Sequence, residues 1–209
     1  MVIVHHLNNS RSQRILWLLE EMGTPYEVKR YERDRATMLA PPELRAVHPL
    51  GKSPVIDDDG IVVAESGAIV EYLAGTYGHG QLTPSPGTAA ALRVNYWMHF
   101  AEGSAMTPLL LKLYLSRLGD AAGPLLARVD AQIAALLVYA ESELGTSPFL
   151  GGDSLTIADI QMSFPLEAAT ARGGLDARYP SLMAYLARLQ TRPAYQRALT
   201  RGGPYELLR

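Results

Sequence analysis

The sequence predicts an α/β domain followed by an all-helical domain. Strand and helix patterns alternate over about the first 80 residues, a Gly- and Pro-rich tract follows at 78–87, and no strand pattern appears after it. The expected boundaries are therefore 1–78 for the first domain, 79–87 for the linker and 88–209 for the second domain. Residues 2–7 are short, β-branched and apolar, as in a strand. Asn8-Asn9-Ser10-Arg11-Ser12 follows, rich in helix-capping residues, and Ile15, Leu18, Leu19 and Met22 then share one face of a helix ending at Gly23. Tyr26 to Tyr31 alternates as a second strand, and the helical crossover makes the pair parallel.

A short helix is expected near Glu43 to Val47. The runs 54–56 and 61–64 flank Asp57-Asp58-Asp59-Gly60, a β-hairpin signal. A further helix begins at Glu65-Ser66, with Ile69, Tyr72, Leu73 and Tyr77 on one face. The order βαβ-α-ββα is that of the thioredoxin-like fold. Beyond the linker, residues 88–117 read as a long helix kinked near Gly103 and Pro108, and 122–144 carry one apolar stripe. Helices at about 156–171, 180–190 and 193–200 complete a bundle. Thr156 and Asp159 form a capping box with Leu155 and Ile160 as its staple, a folding feature rather than chemistry.

Composition narrows the function. Nineteen basic and 21 acidic side chains leave a net charge of −2, which argues against a nucleic-acid surface or a polybasic membrane patch. Apolar runs fall short of the ~20 residues of a membrane span. Met-Val-Ile-Val-His-His reads as a strand rather than a signal peptide, so a cytoplasmic location is expected. The absence of cysteine excludes disulfides, Cys-ligated zinc and a catalytic thiol on the protein. His5 and His6 point to opposite faces of a strand, and His48, His79 and His99 have no ligand spacing, so no metal is expected.

Four stretches in order resemble one family. Asn9-Ser10-Arg11-Ser12-Gln13-Arg14-Ile15-Leu16-Trp17-Leu18-Leu19-Glu20-Glu21 resembles the first loop and helix of the fungal and bacterial branch of cytosolic glutathione transferases. His48-Pro49-Leu50-Gly51-Lys52-Ser53-Pro54-Val55-Ile56 is similar to that family's N-P-x-G-K-x-P segment with its cis proline, His48 standing where Asn is usual. Glu65-Ser66-Gly67-Ala68-Ile69 is similar to its E-S-x-A-I helix start, and Ser154-Leu155-Thr156-Ile157-Ala158-Asp159 to a segment of its second domain. Arg192-Pro193-Ala194-Tyr195 resembles its C-terminal pattern.

The resemblance implies a transferase that stabilises the glutathione thiolate for attack on hydrophobic electrophiles. Glutathione is then a cosubstrate, and no cofactor is required. Ser53 and Pro54 would offer backbone groups for pairing with the extended peptide. Ser66 and its helix N-terminus suit the γ-glutamyl carboxylate, Glu65 the ammonium, and Lys52 the glycyl carboxylate. His48 is expected in a turn. In the first loop Asn9 or Ser10 falls at the catalytic place, Ser12 lies slightly later and can instead cap the helix, and Arg11 adds a cation. Ser10 is taken as principal donor with Asn9, Arg11 and the helix N-terminus assisting. Tyr96, Met106 and Tyr114 are expected to line the apolar pocket for the electrophile between the domains, and Glu102 to reach the partner's glutathione in a homodimer. A cysteine-free glutathione peroxidase or disulfide-bond reductase, and a non-catalytic binding module, remain as alternatives on the same fold.

Overall fold

The computed structural model describes residues 1–208, which form two compact units: Met1–Leu82 with Gln190–Glu206, and Thr83–Leu189 with the terminal segment from Leu207. The first unit carries a four-stranded sheet in the order β2-β1-β3-β4. Its strands are β1 (Val2–Leu7), β2 (Tyr26–Tyr31), β3 (Val55–Asp58) and β4 (Ile61–Ala64). β1 and β2 are parallel, because α1 (Ser12–Met22) carries the chain back across the sheet; β3 runs antiparallel to both β1 and β4. α1 buries Ile15 to Leu19 completely and stops at Gly23, whose left-handed φ of 65° lets its N–H cap the carbonyl of Leu19. The β3–β4 hairpin turns at Asp59 and Gly60, with φ of 51° and 92°, and Asp57 Oδ1 accepts the Gly60 N–H at 2.8 Å. α2 (Leu44–Val47) is a single turn, and α3 (Ser66–Tyr77) follows β4 directly.

Among the described residues, the regular structure of the second unit is helical apart from one isolated bridge, Phe149 to Gly152. The expected single helix over 88–117 is instead α4 (Ala89–Phe100), a π turn (Ala101–Met106) and α5 (Thr107–Leu115). Pro108 explains the break. It has no N–H for the ladder, and the Thr107 hydroxyl donates to the carbonyls of Glu102 and Gly103 at 3.2 and 3.0 Å instead. A 3₁₀ segment (Ser116–Ala122) broken at Gly119 leads into α6 (Gly123–Leu144), then α7 (Ile157–Ala168) and α8 (Pro180–Gln190). Glu141 accepts the N–H groups of Ser181 and Leu182, both at 2.8 Å, so its carboxylate closes the N-terminus of α8. The run Ala89–Leu144 contains a window of mean hydropathy 1.4, more apolar than the sequence reading allowed. Gly119, with φ of 55°, interrupts that run, and α6 beyond it carries Arg128, Asp130, Glu141 and Glu143.

The last helix, α9 (Pro193–Gly202), departs from the expected division at 88–209, because it belongs to the first unit. Arg192 grips Glu21 with two parallel bonds of 2.5 and 2.9 Å, and Arg197 meets Glu20 at 2.7 Å. Trp17 stands edge-on to Tyr195 at 5.3 Å, and the Arg201 guanidinium lies 3.8 Å above the ring of Tyr26. α1 is therefore buried between the sheet's helical neighbours and this tail, which accounts for its apolar residues on more than one face.

Candidate functional site

The loop between β1 and α1 is built to hold its side chains inward. Asn9 takes a left-handed φ of 50°, a conformation Asn tolerates, and Arg11 occupies the N-cap position with no side-chain cap. Ser10 and Ser12 are buried, at 4% and 0% exposure. Ser12 does not cap the helix, as one reading of the sequence allowed. Instead Ser10 Oγ accepts the Ser12 N–H at 3.2 Å, while the Ser12 hydroxyl turns back to His6 Nδ1 at 2.8 Å and to the Leu7 carbonyl at 3.3 Å. The two hydroxyls are 2.7 Å apart. Asn9 is occupied by the C-terminal tail: its amide donates to Glu206 at 3.0 Å and its carbonyl accepts the Glu206 N–H at 2.8 Å.

The Ser53–Pro54 peptide is cis, as the resemblance implies. Ser53 uses its hydroxyl to extend the β1–β3 ladder, donating to the His5 carbonyl at 2.8 Å and accepting the Leu7 N–H at 3.2 Å. β3 is an internal strand, so only the short segment before it is open for backbone pairing. The register explains why that segment is open. β4 ends at Ala64, opposite Val55, and the next residues outward are Pro54 on one chain and Glu65 on the other. The backbone approach at Ser53 and the start of α3 are thereby set side by side. Lys52 is exposed next to them. His48 ends α2 and holds a turn, its carbonyl accepting the Gly51 N–H at 2.8 Å.

At α3 the chain makes its sharpest local departure. Glu65 sits at φ 71°, unusual for a residue with a side chain, and its own side chain is exposed. Ser66 is buried at 4% exposure and accepts from Arg14 Nη1 at 3.2 Å, which ties the α3 N-terminus to α1. Three of the four sequence motifs thus converge: Leu7 bonds both Ser53 and Ser12, and α1 carries both Ser12 and Arg14. The fourth, at Thr156 and Asp159, is in the other unit and is fully occupied with structure. Asp159 accepts from the N–H and hydroxyl of Thr156, both at 2.8 Å, from the Leu150 N–H at 2.9 Å and from Tyr185 at 2.6 Å. Burial pushes its carboxyl up and these bonds oppose that push.

Sequence reasoning missed His6. Its ring is 3% exposed, and burial together with the nearby Arg30 charge holds its pKa at about 4. The one signal available was its position on β1, one strand-length before the serines.

The proposed second-substrate residues fare unequally. Met106, at 2% exposure, lies in the core of its unit rather than on an open wall. Tyr96 and Tyr114 are exposed, at 46% and 54%; Tyr96 joins Trp97, Phe100 and Tyr139 in an aromatic cluster beside an open groove of about 320 Å³. Glu102 is half-buried in the π turn.

Comparisons with known proteins identify the family. The family model described as the glutathione S-transferase N-terminal domain matches residues 1–75, and that of the C-terminal domain matches 123–188. A glutathione S-transferase of Schizosaccharomyces pombe is 35% identical over 93% of this chain and 85% of its own. One from Saccharomyces cerevisiae is 32% identical over 93% and 92%. The crystal structure of a glutathione S-transferase from Actinobacillus pleuropneumoniae superposes with a TM-score of 0.92 at 37% identity, covering 100% of this chain and 96% of that one.

Proposed function

The chain belongs to the glutathione S-transferase family and is a glutathione transferase; from that premise we propose that Ser10 is the hydroxyl that faces the sulfur of glutathione. The observation that carries this is the burial of Ser10 at the N-terminus of α1, where Asn9 is already bonded to Glu206 and Ser12 to His6. A hydroxyl and a helix N-terminus both stabilise a thiolate. A thiol that titrates near ~8.5 in water is a poor nucleophile at neutral pH, and lowering that value by ~2 units takes ~2.7 kcal/mol of preferential stabilisation. Arg11, at the N-cap position, adds positive charge to the same loop.

The rest of the tripeptide follows from the same site. Ser53 pairs with the peptide backbone beside cis-Pro54, Ser66 and the α3 N-terminus hold the γ-glutamyl carboxylate, Glu65 holds the ammonium and Lys52 the glycyl carboxylate. The hydrophobic electrophile is received by exposed aromatics of the helical unit, Tyr96 and Tyr114, with Met106 as buried support. We place the protein in the cytoplasm and in the fungal and bacterial branch with an N-S-R-S first loop. We infer a homodimer, in which Glu102 approaches the partner's glutathione; the exposed apolar side chains Leu92, Leu118 and Val138 support such an association.

The test is the pH dependence of thiolate absorbance for bound glutathione. Ser10→Ala should raise that pKa by about 1–2 units with affinity largely kept. Ser66→Ala and Glu65→Ala should instead weaken binding by about 1.5–3 kcal/mol, read by calorimetry, and leave the thiol pKa in place. A bound thiol whose pKa is unmoved by Ser10→Ala would overturn the assignment.

A further inference from the structure

The residue before Ser10 is held from far along the chain. Asn9 Nδ2 donates to Glu206 Oε2 at 3.0 Å, and Asn9 Oδ1 accepts the Glu206 N–H at 2.8 Å. Among the described residues these are the only hydrogen bonds that Asn9 makes with the protein. Its neighbours are fixed from the end of β2 and from α1. Asn8 donates its N–H to the Tyr31 carbonyl at 3.1 Å, and its side-chain and main-chain oxygens accept from Arg33 at 2.9 and 3.3 Å. The Ser10 carbonyl accepts the Gln13 N–H at 3.2 Å, and the Ser10 hydroxyl lies against Ser12. Asn9 therefore stands between two anchored residues at a left-handed φ of 50°, a conformation that persists where the surroundings hold it. What holds it is Glu206.

α9 brings Glu206 to the loop. The helix ends at Gly202, and Gly203 turns the chain at φ 84°. A Cβ at Gly203 would come within 3.1–3.3 Å of the Arg30 guanidinium, which itself holds the carbonyls of Arg201 and Thr200, so the turn is close as well as glycine-dependent. Tyr205 is then buried at 8% exposure, and Glu206 follows at the surface beside Asn9. Because α9 is pinned to α1 through Glu20 and Glu21, both ends of the Asn9–Glu206 pair belong to one packed unit.

The pair is exposed to water, so it adds little to folding. A contact to sulfur is more demanding. A hydrogen bond weakens steeply as its angle closes, and a donor stabilises developing charge best when it is already in place. We propose that Glu206 is a positioning residue for the thiolate: through Asn9 it fixes the Asn9–Ser10 peptide, and with it the direction from which the Ser10 hydroxyl meets the sulfur. The contacts to Ser12 set that hydroxyl against α1, and the Glu206 latch sets the chain that enters it. The inference rests on the assignment of Ser10 to the sulfur. The sign of the effect separates this role from simple charge. A carboxylate near a thiolate disfavours it, so removing Glu206 as a mere charge would lower the thiol pKa. Removing it as a latch raises that pKa.

Thiolate absorbance of glutathione bound to the whole protein, followed against pH, gives the test. Glu206→Ala should raise the bound thiol pKa by about half a unit, roughly a threefold loss of thiolate at fixed pH below that pKa. Asn9→Ala, which removes both bonds, should raise it at least as far, and the double variant should match Asn9→Ala, because the two residues act as one unit. Glu206→Gln keeps the acceptor and should leave the pKa at or below the wild-type value. Affinity for S-methylglutathione, which has no thiol, should stay at the wild-type value in all four variants. An unmoved or lowered thiol pKa in Glu206→Ala, or shifts that simply add in the double variant, with Ser10→Ala still raising the pKa, overturns the latch and leaves the role of Ser10 standing. So does a Glu206→Gln rise as large as that of Glu206→Ala, or a loss of S-methylglutathione affinity in step with the pKa. Should Ser10→Ala leave the thiol pKa unmoved, the assignment of Ser10 fails and takes the latch with it.

Discussion

Two helix starts in this chain use the same kinds of residue for opposite ends. At α7, Thr156 and Asp159 form a capping box, and Asp159 gathers four hydrogen bonds from Leu150, Thr156 and Tyr185. At α1, the N-cap Arg11 contributes no side-chain cap, and the hydroxyls of Ser10 and Ser12 run to each other and to His6. The first arrangement is closed, with its acceptors filled from within. The second runs inward to a histidine and leaves the Ser10 oxygen at its outer end. The two starts therefore differ in whether their polar side chains close on one another within the first turn or run back to the strand before the helix.

Breaking the closed start should have the largest effect. Asp159→Ala removes the acceptor of two buried N–H groups and two hydroxyls, each of which loses its bond in a site with no room for bulk water. The expected loss is about 3–5 kcal/mol of unfolding free energy in urea. A loss below about 1 kcal/mol would show that the site relaxes and that the contrast between the two starts is weaker than the geometry implies.

The next effect comes from the other start and depends on pH. The pKa of His6 is depressed from 6.5 to about 4 in the folded chain. Between those values the unfolded chain binds a proton that the folded chain refuses, so stability rises with pH there. The contribution is complete above 6.5 and is lost progressively as pH falls toward 4, by up to about 3 kcal/mol at ~1.36 kcal/mol per unit. Stability measured from pH 7 to 4 should fall steeply in the wild type, and His6→Asn should flatten that limb. An equal limb in both proteins would mean that His6 is not the group responsible.

The contrast between the two starts also marks what the sequence could convey. The capping box was legible, because Thr156 and Asp159 lie three residues apart and the box is local. So were the hairpin at Asp59-Gly60, the helix stop at Gly23 and the division between a mixed-sheet unit and a helical one. The candidate site residues at 10, 53, 65 and 66 were singled out only through resemblance, since each motif alone is an ordinary loop or cap. His6 and the tail were not legible. His6 reaches Ser12 because β1 and α1 fold back on each other, and α9 joins the first unit through Arg192 with Glu21 and Arg197 with Glu20, pairs more than 170 residues apart in sequence. The π turn was anticipated only as a kink near Gly103 and Pro108; its form depends on Thr107 taking over the freed carbonyls.

The smallest effect separates the two starts most directly. Thr156→Ala removes a hydroxyl that donates to Asp159 and belongs to a complete cap, and should cost about 1–2 kcal/mol. Ser10→Ala removes the acceptor for the Ser12 N–H, at 3.2 Å, and the 2.7 Å contact with the Ser12 hydroxyl, which keeps both His6 and the Leu7 carbonyl within reach. Its cost without glutathione should be about 0.5 kcal/mol, the low end for a helix cap. Urea unfolding of both variants without ligand makes the comparison. If Ser10→Ala destabilised the free protein as much as Thr156→Ala, the serine would be a structural cap first, and a change in thiol pKa would have to be read against a loosened helix. If it leaves the free protein nearly intact while shifting the bound thiol, the hydroxyl is held at α1 chiefly for the sulfur.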